Sequence, residues 1–224
     1  GPALATMSRL AREMRDPQIA RRAVELAIRA RSLDTALDLA ALLVELEPES
    51  NLGRELIASL VANRGELDKA SESIAGLVQR SGDKGLFLTQ LSYFFGKYPD
   101  KVAVFDATRA IVARYPSLPE SRYAIGVAAL LAGKDDLALS ESRAALDLRP
   151  GWVQAAILHA QALKKDSPGD VIGFYQSFIA KYPEAKEARL QLAREFASAR
   201  RNPEAREEFR AAQKLAPKEP QIPF

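Results

Sequence analysis

The chain of 224 residues has no cysteine. That excludes disulfides, thiolate metal sites and a cysteine nucleophile, and leaves the redox compartment open. Histidine is almost as scarce: His159 stands alone, which excludes a multi-histidine metal site. No apolar run approaches the roughly 20 residues needed to cross a bilayer. Neither sign of charge dominates, since 32 basic side chains face 29 acidic ones for a net charge of +3. So small an excess is no nucleic-acid footprint. The phosphate-loop pattern GxxxxGK[ST], GxGxxG after a strand, HExxH and GxSxG are all missing. The expectation is therefore a chain with no catalytic residues, no cofactor and no metal. What remains is rich in Ala, Leu and Arg, at 47% hydrophobic and 27% charged residues. Apolar and charged residues spread evenly in this way suit a helical globular chain better than a disordered one.

The most informative positive signal is a period. The segment ending at Pro150 and the segment ending at Pro217 align slot by slot. Ile125-Gly126 matches Leu192-Ala193, Ala138 matches Ala205, and Ala145 matches Ala212. Along the whole chain the small-residue slot of the second helix falls at 36, 70, 104, 138, 171 and 205, in steps of 34, 34, 34, 33 and 34. The short step places a deletion in the turn Lys164–Asp170. A closing slot reads Pro48, Gly82, Pro116, Pro150, Pro183 and Pro217.

This spacing is similar to that of the tetratricopeptide repeat (TPR), a helix–turn–helix unit of about 34 residues. The resemblance implies an all-α, right-handed superhelical solenoid of six helix pairs behind one leading helix. The repeats are expected at 17–50, 51–84, 85–118, 119–152, 153–185 and 186–219. Gly1-Pro2 reads as a cleaved-tag scar, 3–14 as the second helix of a truncated repeat, and 220–224 as a tail too short and proline-rich to cap the array. Leu4, Met7, Leu10, Ala11 and Met14 give the leading helix its apolar face. The stretch 88–95, LTQLSYFF, looks β-like but falls in register as a first helix.

Each repeated slot has a packing reason. Small residues sit where two helices cross closely. Phe95, Tyr175, Phe178, Phe196 and Phe209 fill the gap to the next repeat. The closing proline lacks an N–H, so it stops one helix and opens the next. His159 falls in a core slot, which suits a satisfied imidazole rather than a base. Asp135-Asp136 lies between two helices, where acidic residues favour the start of the second.

Function is therefore sought on the surface that the first helices present. In TPR domains the groove-facing positions are the second, fifth, ninth, twelfth and thirteenth of each repeat. Here the middle of that groove is apolar and aromatic with basic flanks. The candidate binding residues are Leu86, Tyr93, Lys97, Tyr123, Val127, Ile157, Lys165 and Arg194. Tyrosine joins apolar area to a polar tip and few rotors, which suits recognition. An extended or helical peptide could lay apolar side chains on Tyr93, Tyr123, Val127 and Ile157, with its carboxylates meeting Lys97, Lys165 or Arg194. The chaperone-binding carboxylate clamp of some TPR domains is not matched, since Glu25 follows Arg21 and Leu56 stands where the clamp has Asn.

A narrower resemblance rests on Arg15-Asp16-Pro17 with Ala20, Arg22, Ala23 and Ala27. This segment resembles the N-terminal region of large bacterial TPR lipoproteins of the outer membrane that face the periplasm. That family implies an adaptor for a carboxyl-terminal processing protease or its substrates. It also implies periplasmic location through a lipid anchor that this cysteine-free chain does not contain. Two other readings stay open: the TPR arm of a larger enzyme such as a glycosyltransferase, and an assembly module of a secretion or pilus system.

Overall fold

The computed structural model describes residues 1–63 and 65–215, with Asp166 described in its backbone only. Pro217, the end of the repeat expected at 186–219 and the tail expected at 220–224 lie outside the described residues. The described residues hold helices and no strands. In order these are α1 (Pro2–Met14), α2 (Pro17–Arg29), α3 (Leu33–Leu46), α4 (Asn51–Ala62), α5 (Leu67–Arg80), α6 (Lys84–Leu88) and α7 (Leu91–Phe94). There follow α8 (Lys101–Val112), α9 (Pro119–Leu131), α10 (Asp135–Leu148), α11 (Val153–Asp166), α12 (Val171–Lys181), α13 (Lys186–Ser198) and α14 (Asn202–Leu215). The helices group as a leading helix and six pairs, with α6 and α7 together serving as one first helix.

Local chemistry sets the helix starts. Asp16 accepts hydrogen bonds from the backbone N–H groups of Gln18 at 2.8 Å and Ile19 at 3.0 Å. Pro17 then opens α2 with a φ already suited to a helix. Asp100 caps α8 through Val102 and Ala103, both at 3.0 Å, and Asp83 caps α6 through Leu86 at 2.9 Å. The closing prolines at 48, 116, 150 and 183 sit in the connections and do not open the next helix as the repeat pattern suggested. Pro17 and Pro119 take the first helical position instead.

The turn after a first helix also has a recurring form. After α2 the Ser32 N–H donates to Ala27 O at 2.9 Å and the Arg31 N–H to Ile28 O at 3.0 Å. The same pair of bonds follows α9, from Lys134 and Gly133, and α13, from Arg201 and Arg200. This is the Schellman arrangement, in which one residue turns left-handed to satisfy the last carbonyls. Gly133 does so at φ 71°, whereas Arg31 (54°) and Arg200 (59°) do it with a side chain.

The chain forms two compact units, Gly1–Ala124 and Ile125 onward. In the first, α2 buries Ala20, Ala23, Val24 and Ala27 against α3. Gly53 lets α4 approach α3, since a Cβ there would stand 2.8 Å from Val44 Cγ2 and 2.9 Å from its backbone nitrogen. In the second unit, Gly126 does the same beside Leu158, whose Cδ2 would lie 2.9 Å from an added Cβ. In the same unit Tyr175, Phe178, Ile179, Leu192 and Phe196 form a shared core, with Phe209 partly buried against it.

Two further expectations need correction. The stretch 88–95 is not one helix. It breaks at Thr89-Gln90, where the Thr89 hydroxyl donates to Leu86 O at 2.8 Å and the backbone tightens to i→i+3 bonds, Gln90 to Phe87 and Tyr93 to Gln90. Met14, assigned to the apolar face of α1, is 64% exposed, because α1 turns Ser8 and Ala11 inward.

Candidate functional site

The eight candidate residues divide between the two units. Leu86, Tyr93, Lys97 and Tyr123 belong to the first, and Val127, Ile157, Lys165 and Arg194 to the second.

In the first unit, α7 carries Phe94 fully buried with Phe95 following it, while the adjacent Tyr93 remains 42% exposed. Helical spacing explains the contrast. Phe87, Leu88, Leu91, Phe94 and Phe95 share one buried face, and Tyr93 points off its edge. Lys97, also exposed, donates from Nζ to Ser59 Oγ on α4 at 3.2 Å. Leu86 is half-buried on α6. Tyr123 is half-buried on α9, and burial pushes its phenol pKa above the ordinary 10.0. Its phenol therefore stays protonated throughout the working range. Tyr98, just beyond Lys97, donates its hydroxyl to Val61 O at 3.1 Å and anchors this segment to α4. Elsewhere on the same unit Ile28, a groove-facing slot of the first repeat that is not among the eight candidates, is an apolar side chain left 41% exposed on α2. The signal was present, since the twelfth slot of the first repeat is apolar.

In the second unit, Val127 on α9 and Ile157 on α11 are half-buried. Lys165 is exposed but already has an internal counter-ion, Asp135 Oδ1 at 3.4 Å. Its neighbour Lys164 reaches both carboxylate oxygens of Glu195 at 2.8 Å. Arg194 is exposed and has no ion pair with any described residue. An incoming carboxylate thus meets Arg194 unengaged, whereas at Lys165 it competes with Asp135.

His159 is 2% exposed, with Nδ1 3.0 Å from Ser142 Oγ and its ring 4.7 Å from that of Phe174. Burial, and next the Arg143 charge, hold its pKa below the ordinary 6.5, while the Leu139 carbonyl acts in the opposite direction. A neutral imidazole enclosed by packing has no route to a substrate, so this is a core residue. Among the described residues no cluster of three His, Cys, Asp or Glu side chains could hold a metal. No described helix is long and apolar enough to cross a membrane.

No protein-family model matches the chain, and no curated protein matches it either. Solved structures do. The C-terminal part of a TPR repeat-containing protein from Cytophaga hutchinsonii is similar at 18% identity and a TM-score of 0.50, covering 97% of this chain and 91% of that one. A tetratricopeptide repeat protein from Parabacteroides merdae is similar at 15% identity and a TM-score of 0.51, covering 91% and 80%. At this identity the likeness establishes the fold: the helix pairs are those of a TPR solenoid.

Proposed function

We propose that this chain is a non-catalytic scaffold that docks other polypeptides on the face of its first helices. The observation that carries the reading is Tyr93. A large aromatic is left 42% exposed on a helix whose adjacent Phe94 is fully buried, and Lys97 lies one turn further along, held to Ser59. An exposed ring beside an anchored cation suits a peptide with an apolar side chain and a nearby carboxylate. Within the second unit the half-buried Val127 and Ile157 and the exposed Arg194 offer an apolar surface and a cation, without an aromatic ring.

The finer reading is an adaptor for a carboxyl-terminal processing protease or its substrates, located in the periplasm on an outer-membrane lipid anchor. It is supported by the resemblance of the segment from Arg15 to Ala27 alone. The Asp16-Pro17 part of that segment works here as a helix cap, a task independent of any partner.

The test is a titration of the chain against a purified carboxyl-terminal processing protease and its substrates, wild type beside Tyr93→Ala and Tyr93→Ala/Tyr123→Ala. Loss of an exposed aromatic anchor weakens binding by about 1–2 kcal/mol, or roughly tenfold, with circular dichroism unchanged. Unaltered affinity with intact helicity removes this face from consideration. Binding to neither protease nor substrate removes the adaptor reading and leaves the scaffold reading to other peptides.

A further inference from the structure

In the first unit the helices α1, α3, α5 and α8 form a second face, in which each packs beside the next. The seams between them differ. Between α3 and α5, Arg80 Nη2 donates to Asp38 Oδ1 at 2.7 Å. Between α1 and α3, Arg12 lies 4.0 Å from Asp38, and Arg15 lies 3.7 Å from Glu45. Among the described residues no ion pair crosses the seam between α5 and α8. It opens instead as a furrow of about 830 Å³.

The floor of the furrow is low. Leu67, Ser71 and Ala75 of α5 face Ala103, Ala107 and Ile111 of α8, each set at i, i+4 spacing and each residue partly or fully buried. Side chains of this size allow a third helix to lie close between two ridges. The exposed walls carry charge in a polar order. Asp68 and Glu72 of α5 and Asp106 of α8 lie in the N-terminal halves of the two helices, and Arg114 stands past the C-terminal end of α8. Asp68, Glu72 and Arg114 make no ion pair with described residues. Asp106 pairs only with Arg109 on its own helix, at 3.4 Å with both side chains exposed, a geometry worth little in water.

We propose that this furrow docks an amphipathic helix of a partner protein, with a narrow apolar stripe, Lys or Arg at one end and a carboxylate at the other. The apolar stripe occupies the floor. The basic end meets Asp68, Glu72 and Asp106, the acidic end meets Arg114, and the charge order fixes the direction in which the helix lies. This site is separate from the first-helix face and does not depend on it.

The experiment uses two synthetic fluorescent helical peptides of about 16 residues, long enough to run the furrow at about 1.5 Å per residue. They share one Leu/Ala stripe. The first has Lys at one end and Glu at the other, and the second has Glu at both. Fluorescence anisotropy against the full chain should show the first binding about tenfold more tightly. Asp68→Lys/Glu72→Lys should reverse that preference. Ala110→Trp, at an exposed wall position, should fill the furrow and abolish binding, while Tyr93→Ala leaves it unchanged. Equal binding of the two peptides, no binding, or loss with Tyr93→Ala but not with Ala110→Trp would overturn the assignment. Self-association of the chain that disappears in Ala110→Trp would also overturn it, by making the occupant a second copy.

Discussion

The third and fifth helix pairs are both rich in aromatic rings, yet they place most of them on opposite members of the pair, Phe105 of α8 being the exception in the third. In the third, Phe87, Phe94 and Phe95 lie on the first helix, all fully buried, with Phe87 and Phe94 at a ring separation of 6.2 Å. In the fifth, the first helix α11 buries Ala155, Ala156, Ala160 and Ala162 and runs unbroken from Val153 to Asp166. Its rings are on α12 and the residue that follows it: Phe174 is 5.7 Å from Tyr175 and 6.3 Å from Phe178, and Phe178 is 4.9 Å from Tyr182. Alanine on the first helix preserves close, regular packing. Phenylalanine there, together with a Thr89 hydroxyl that competes for a backbone carbonyl, accompanies a helix split into two short pieces. The buried slots nevertheless keep helical spacing through the split, so the core face survives although the backbone ladder does not.

The sharpest way to break this comparison is to remove a ring from the third pair. Phe94→Ala should cost about 3–5 kcal/mol, because α6 and α7 are too short to persist without their rings. Urea unfolding followed by far-ultraviolet circular dichroism reads it. A loss below about 1 kcal/mol would show that the split helix owes its stability to something other than the cluster.

Acid separates the two pairs next. The fifth pair holds the chain's one histidine, and the third has none. Burial keeps the folded His159 pKa below 6.5, so the unfolded chain takes up a proton first as the pH falls. Stability of the fifth pair should therefore be complete above about pH 6.5, decline below it, and level off once the folded imidazole itself titrates. Trp152, the single tryptophan, immediately precedes α11 and reports the transition by fluorescence. In His159→Gln the decline between pH 6.5 and the range where carboxylates titrate should vanish, and its persistence would place the titrating group elsewhere.

The smallest effect concerns a turn that both pairs lack. The first pair closes its first helix with Arg31 at φ 54°, a conformation that costs a side-chain-bearing residue about 1 kcal/mol. Arg31→Gly should raise the free energy of unfolding by up to about 1 kcal/mol, while the equivalent change of Ser167, at φ −134°, should raise nothing. A fall in stability on Arg31→Gly would show that the arginine side chain holds the turn in some other way.

Much of this architecture was legible from spacing. The alanine and glycine slots marked close crossings, and Gly126 shows why, because a single added carbon would collide with Leu158 of the neighbouring helix; the equally close approach at Gly53 falls outside those slots. His159 as a satisfied core residue and Phe95, Tyr175, Phe178 and Phe196 as gap fillers were readable in the same way. Left-handed Arg31 and Arg200 were not, because the sequence signal for that conformation is glycine. The split at Thr89-Gln90 was hidden by buried residues that keep a helical period across it. At the candidate face, exposure of Tyr93 followed from its slot, but the pairing of Lys165 with Asp135 and of Lys97 with Ser59 joins side chains on different helices.

The sequence alone determined the helix pairing, because a recurrent ladder of small and large side chains at fixed spacing can be buried only by stacking like upon like. Tertiary structure decided which charges are already engaged, where a helix yields, and which seam between second helices stays open. Those outcomes depend on distances between residues remote in the chain, and a period carries no information about them.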